Sequence, residues 1–308
     1  MLNSITKKTE YMTPEAFNHI GKKLFGNRFK SQLANLLDYR RETLSSWSNG
    51  HRPIPKVVSM AMKWLDAPST SKNIPYKERR FNAKGELKHI GESLLIHGDA
   101  TTLNLSHYLK ECVDTILVDP VWPNAIPDLA GSHAPYQLFT DMMTHMTQYL
   151  NLHGRIIVQM RCDSDPKILS IISDQYPFIR AAWLPYAIPS PQGRVLISGD
   201  IAYLYGIPPK PREGNRVLPG EIHRDYAPKA QSNKNISHPC PRSLTHVEWL
   251  IEKYTNPNDL ILDPCMGSGT TAIAALNRGR QFIGVEVERK YWQVAVNRVE
   301  KAYQGNTL

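Results

Sequence analysis

The residues best suited to chemistry lie in two short stretches far apart in the chain. The first, Leu260 to Glu286, reads L-I-L-D-P-C-M-G-S-G-T-T-A-I-A-A-L-N-R-G-R-Q-F-I-G-V-E. An apolar run ends in Asp263, a small-residue turn follows at Gly267-Ser268-Gly269, and Thr270 to Asn277 has helical character. A second apolar run, Phe282 to Val285, ends in Glu286. Glycines let a backbone approach a ligand closely, and a helix start offers it free N–H groups. An acid closing the second strand is placed to accept hydrogen bonds from a ribose diol. The second stretch is Asp119-Pro120-Val121-Trp122. A carboxylate and the next backbone carbonyl are two acceptors that can converge on one NH2 group, and an aromatic nearby can stack on a flat ring. Each stretch also has a plain reading, a tight turn for the glycines and a strand-to-loop corner for Asp-Pro. No Lys-Ser/Thr follows the glycines, so the loop is not a P-loop, and it fits G-x-G-x-x-G poorly.

Strands must carry these residues. Ser93–His97 is a short apolar run followed by Gly98-Asp99, and Thr115–Val118 leads into Asp119. Further strand patterns occur at Arg155–Met160, Ala181–Leu184 and Asp200–Tyr205, besides those starting at Leu260 and Phe282. Helical patterns fall near Tyr136–Leu150, after Pro166, and at Leu244–Tyr254. Seven strands alternating with helices predict an α/β domain built on a parallel sheet.

The wording Asp-Pro-x-x-Gly-Ser-Gly-Thr-Thr resembles the S-adenosylmethionine motif of DNA amino-methyltransferases, which act on adenine N6 or cytosine N4. Asp119-Pro120-Val121-Trp122 resembles their Asp-Pro-Pro-aromatic motif, with Val121 where the second proline is usual. Proline there would fix φ, and valine leaves an extra N–H and more freedom. The base motif precedes the cofactor loop, an order similar to the permuted β class. The resemblance spans roughly 92–303 and implies a Rossmann-like seven-stranded methyltransferase sheet in permuted order. It implies S-adenosylmethionine as cofactor, with Asp99, Asp263, Gly267, Ser268, Gly269, Thr270 and Glu286 holding it. His238-Pro239-Cys240-Pro241-Arg242 is similar to the family's His-Pro-x-x-Lys-Pro segment, which covers the methionine end of the cofactor, so His238 and Arg242 join that set. Asp119 and the Pro120 carbonyl would accept from the target amine, and Trp122 would stack on the extruded base. An acid at 119 favours adenine N6; cytosine N4 and an RNA adenine remain alternatives. A DNA-binding regulator with a catalytically weak methyltransferase domain is the rival from another class, kept open by Val121. No metal is implied.

Charge is unevenly spread. Of the formal net +9, residues 1–90 hold 17 Lys/Arg against 7 Asp/Glu. A basic segment beside a neutral remainder suits a polyanionic partner. Thr13-Pro14 reads as a helix start with Phe17, Ile20, Gly21 and Leu24 on one face. Phe29–Leu37 is a second helix, Arg41–Trp47 a third, and Lys56–Leu65 a fourth. Ser-Gln-Leu-Ala, the late Trp47 and Asn-Gly-x-x-x-Ile-Pro resemble the helix-turn-helix domains of phage repressors. That resemblance implies a core of Leu33, Ala34, Leu44 and Trp47, and double-stranded DNA contacted by Arg40, Arg41, Thr43, Ser45, Ser46 and Arg52. The alternative is a helical bundle for packing or dimerisation.

The expected layout is therefore a helix-turn-helix domain at 1–66, a linker at 67–90 and a methyltransferase domain at 91–308. Within the last, 206–237 is rich in Pro, Gly and basic residues, as a target-recognition or DNA-contacting loop would be. The four cysteines lack metal-ligand spacing and read as reduced core fillers. No apolar run spans a membrane and the start of the chain has no apolar signal core. The expectation is a cytoplasmic, nucleoid-associated, bacterial or phage-encoded protein, with homodimerisation left open.

Overall fold

The computed structural model describes residues 12–37, 40–54, 58–59, 62, 86–109, 112–121, 134–223 and 241–306. The chain divides into two compact units, 1–79 and 80–308.

The first unit is helical. Thr13 caps α1 (Pro14–Phe25), its hydroxyl accepting from the Ala16 N–H at 3.2 Å, with Pro14 in the first turn. Then follow α2 (Phe29–Leu37) and α3 (Arg41–Ser48). Phe17, Ile20, Phe29, Leu33, Ala34, Leu44 and Trp47 bury their side chains with Ile54, Val58 and Met62. Phe17 meets the Phe29 and Trp47 rings edge-on at 5.8 and 6.2 Å. Gly21 is where α1 and Phe29 come closest, since a Cβ there would sit 2.3 Å from the ring. The fourth helix expected at 56–65 lies mostly outside the described residues, of which 58, 59 and 62 are helical. Residues 67–83 of the expected linker also lie outside them.

The second unit is built on eight strands: β1 (Leu87–Ile90), β2 (Ser93–His97), β3 (Val113–Val118), β4 (Leu150–Arg161), β5 (Phe178–Gln192), β6 (Val195–Gly206), β7 (Leu260–Asp263) and β8 (Gln281–Glu286). They lie in the order β1-β2-β8-β7-β3-β4-β6-β5. All seven expected strands are present, and the eighth, β1, takes the end of the stretch read as linker. The expectation of a parallel sheet needs correction. Strands β2, β8, β7, β3 and β4 run parallel, whereas β1, β6 and β5 are antiparallel to their neighbours. The physical reason is that β5 and β6 form a hairpin closed by a two-residue turn at Gly193, so they cannot be parallel.

Helices cover both faces. Cores on one side join Leu117, Ile157, Ile261 and Phe282 to α6 (Leu244–Tyr254), α7 (Thr270–Asn277) and α8 (Arg289–Asn306). On the other, Ile116, Ile156, Leu262 and Ile283 meet α4 (Pro135–Met146), and Ile172 from the single-turn α5 (Ser170–Ser173). The helix expected from Pro166 is a short 3-10 turn running into α5.

At the edge away from the strand C-termini, Arg155 on β4 is buried. Its guanidinium donates to Asp259 at 2.6 Å and to the Ile207 carbonyl at 3.1 Å. Asp259→Ala would strand that charge. Loss of about 3–5 kcal/mol is expected from urea unfolding, because an unpaired buried cation is costly.

Candidate active site

The parallel strands all end at one edge, where ligands bind in open α/β sheets. A cavity of about 280 Å³ opens there. Asp99, Asp119, Pro120, Arg242, Asp263, Gly267, Ser268, Thr270 and Glu286 all line it. The fold thus gathers residues from the ends of β2, β3, β7 and β8, together with Arg242 from the approach to α6. Gly269 lies just behind, at the start of α7. Trp122 and His238 lie outside the described residues.

The glycine loop has the left-handed backbone its residues suggest. Gly267 and Gly269 have φ of 52° and 78°, values that side-chain-bearing residues rarely adopt. A Cβ on Gly269 would come 3.0 Å from the Ala295 Cβ of α8. Glu286 ties the loop to β8: one carboxylate oxygen accepts from the Gly267 N–H at 2.9 Å, the other from Glu288 at 2.8 Å. Asp263 accepts from the Cys265 N–H at 3.1 Å and is also bonded by the Thr271 hydroxyl. Ser268 and Thr270 are buried, and Arg298 of α8 donates to the Ser268 hydroxyl at 2.8 Å and to the Thr270 hydroxyl at 3.4 Å. Asp99 accepts from both the Thr101 N–H and hydroxyl, at 2.8 and 2.7 Å, so the cap and the cavity-lining roles coincide in one side chain.

Arg242 has an unforeseen partner. Its Nε and Nη2 donate to the two Asp119 oxygens, each at 2.6 Å, and its Nη1 donates to Asp200 at 2.8 Å. This guanidinium is therefore directed at carboxylates of the protein, whereas the sequence reading placed it on the cofactor. Asp200 is fully buried on β6. Gln159 donates to it at 2.9 Å and the Tyr186 hydroxyl at 2.8 Å. His246 stacks on Tyr186 at 5.6 Å, and its Nε2 donates to the Pro185 carbonyl at 3.0 Å. Burial lowers this imidazole's pKa, which keeps it neutral. The Cys265 thiol donates to the Asp119 carbonyl at 3.2 Å, so this cysteine, which also packs against the core as expected, is a site residue as well. Asp200 and Gln159 had a faint signal: each is a polar residue inside an otherwise apolar strand.

Several acids crowd the cleft. Burial pushes the Asp263 carboxyl up to about 7, with Asp119 and Glu286 adding to the rise. Burial likewise raises Asp119 against the pull of Arg242, and raises Glu286. Burial opposes the charge on Arg242 too, but Asp119 and Asp200 lift its pKa well above the usual value.

The six residues assigned to DNA belong to the other unit. Arg40, Arg41 and Arg52 are exposed, Thr43, Ser45 and Ser46 are half-buried, and Leu44 and Trp47 form the inner face of α3. In the basic segment after β6, the stretch 207–223 is anchored. Arg212 donates to the Glu252 and Thr255 carbonyls at 2.6 and 2.9 Å, capping the end of α6. Residues 224–237 of that segment lie outside the described residues.

An acid whose folded pKa exceeds its unfolded value destabilises the fold as pH rises between the two. For Asp263 that window runs from about 4 to about 7. Asp263→Asn should therefore raise the thermal midpoint at pH 8 by a few degrees and leave it nearly unchanged at pH 4, measured by calorimetry.

Comparison with known proteins agrees with this geometry. A segment of the Putative methylase YubD of Escherichia coli K12 is 41% identical over 73 residues, covering 23% of this chain and 32% of that protein. The DNA adenine methyltransferase YhdJ of the same organism is 30% identical over 95 residues, 31% of this chain and 32% of that protein. The chain thus aligns with about a third of the length of each. The crystal structure of the M1.HpyAVI-SAM complex superposes with a TM-score of 0.52 at 24% identity, covering 67% of this chain and 98% of that one, and shows the same α/β methyltransferase fold. The family model described as DNA methylase, N6_N4_Mtase, matches residues 135–297, just over half of the chain. On that match, and with the strand-end cleft behind it, this chain belongs to the N6/N4 DNA methylase family.

Proposed function

We propose that this chain is a DNA methyltransferase that moves a methyl group from S-adenosylmethionine to the exocyclic amine of a base turned out of the duplex. The carrying observation is that the Asp119 strand end and the Gly267-Ser268 turn line one cavity. The residues present fit the cofactor: positive-φ glycines bring backbone close to the cavity, Glu286 and Asp99 offer ribose-type acceptors, and the crowded acids suit a cationic sulfonium. When bound, the cofactor supplies an electrophilic methyl. The protein's share is to prepare the nucleophile. An exocyclic amine delocalises its lone pair into the ring. Acceptors at the Asp119 carboxylate and the Pro120 carbonyl draw its hydrogens out of plane and localise that pair. Adenine N6 is the favoured target, because an acid stands at 119; cytosine N4 is the second reading within the family. Trp122 and His238 keep their assigned roles, base stacking and cofactor cover. Arg242 stays in the proposed cofactor set, since it lines the cavity, and it also holds Asp119. The order of motifs, base strand before cofactor loop, supports the permuted class.

The N-terminal unit is read as a helix-turn-helix DNA binder. In support, α3 turns Leu44 and Trp47 inward and leaves Arg40, Arg41 and Arg52 exposed. The working domain limits are 1–66, 67–90 and 91–308, with 206–237 as the candidate target-recognition or DNA-contacting segment.

Three measurements test this reading. Asp119→Ala should lose transfer of labelled methyl to DNA by about 100-fold or more while retaining cofactor binding by calorimetry; a wild-type chain that modifies no DNA would favour the regulator instead. Mass spectrometry of the modified nucleoside decides between adenine and cytosine. Removing residues 1–66 should weaken DNA binding and flatten its salt dependence, since phosphate contacts go with them. An unchanged slope of log affinity against log salt would contradict the assignment.

A further inference from the structure

Asp200 is a fully buried carboxylate that the transfer chemistry above does not use. Burying such a charge is costly unless it is paired, and a wholly apolar cluster in place of the Asp200–Arg242 pair would serve folding as well or better. Its partners are nonetheless specific. Gln159 of β4 and Tyr186 of β5 donate to it at 2.9 and 2.8 Å, and Arg242 spans from it to Asp119. Arg242 itself is almost enclosed, with 11% of its side chain exposed, while Asp119 shows 23% toward the cavity.

We propose that Asp200 and Arg242 are positioning residues for Asp119: Asp200 anchors the guanidinium, and the guanidinium's fork fixes the plane in which the Asp119 oxygens meet the target amine. The inference rests on the reading of Asp119 as amine acceptor. A carboxylate at the end of a strand turns easily about its last torsion, which has broad minima. A bidentate fork removes that freedom. The fork itself sits on a long side chain with many rotamers. The rigid acceptor at Asp200, fixed from two strands, selects one of them. Each Asp119 oxygen uses one lone pair on Arg242 and keeps another for an amine hydrogen. The lysine usual in the family's segment has a single ammonium and no planar fork to span both acids, so the bridge belongs to the arginine of this chain.

The arrangement has an electrostatic signature. The groups facing Asp119 are Arg242 and Asp200, with Tyr186 and the neutral His246 behind them, and Asp263, Cys265 and Glu286 from the cofactor side. Arg242 pulls the Asp119 pKa down and Asp200 pushes it up. Removing the two charges should therefore move the acid limb of the pH–rate profile in opposite directions.

The experiment uses the full chain and unmodified genomic DNA, following kcat, KM and the acid limb of kcat/KM, with S-adenosylmethionine affinity measured separately. Asp200→Asn is expected to lower kcat by about 10- to 100-fold, leave cofactor affinity unchanged and shift the acid limb to lower pH. Arg242→Gln should lower kcat similarly and shift the limb to higher pH. Arg242→Lys should lower kcat without loss of cofactor binding. A purely structural role would reduce the thermal midpoint and leave the limb in place. Unchanged kcat and limb in Asp200→Asn, or in Arg242→Lys if the former does not fold, overturns the inference. If Asp119→Ala also transfers methyl normally, the reading of Asp119 itself has failed; if only the positioning variants are normal, the proposal alone has.

Discussion

Like charges converge because parallel strands must end together. β2, β8, β7 and β3 lie side by side with their C-terminal ends at one edge, and the chain places acids on or just beyond those ends, at Asp99, Glu286, Asp263 and Asp119. Repulsion among them is the constraint that the local structure answers. Glu286 is met by backbone N–H groups, Asp263 by an N–H and a hydroxyl, Asp99 by its own turn, and Asp119 by a guanidinium. Each answer also fixes a loop. The glycine bend is held by Glu286, and the strand leading into Asp119 is held by Arg242. Electrostatic relief and geometric definition are here one act.

The remaining fold serves that edge from a distance. Helices α6, α7 and α8 on one face and α4 with α5 on the other hold the sheet at fixed pitch. The buried Arg155–Asp259 pair and the Asp114 bonds to Asn151 and Leu260 fasten β3, β4 and β7 at the opposite edge. The strand ends therefore meet in a defined plane, and the cleft's depth follows from how far each acid projects beyond its strand.

Much of this was readable in advance where the signal was local. The central strands are buried on both faces, so they appear as unbroken apolar runs, and all were found. Thr13-Pro14 specified a helix start because its chemistry is contained in four residues. The inner face of α3 was visible in the spacing of Leu44 and Trp47. Strand β1 leaves no apolar run in the sequence, because only Ile90 is buried in it. In the sequence β5 shows only four strand-like residues, because prolines 185, 189 and 191 break the pattern; an edge strand tolerates them. The grip of Arg242 on Asp119 was beyond reach, since it joins residues 123 positions apart. Arg212, one of the basic residues of 206–237, caps the end of α6, a contact that joins residues about 40 positions apart.

The position of β8 has one more consequence. It is the last strand in the chain and yet lies in the interior of the sheet, between β2 and β7. The β1–β2 pair joins the other strands only through it. During synthesis, β2 therefore waits without its parallel neighbour until residues 281–286 have emerged. Closing such distant pairs is slow relative to local hairpins. Until then its apolar flank is open to unwanted partners. The bond between Gly267 and Glu286 cannot form before that insertion, so the glycine bend takes its final shape among the last events of folding.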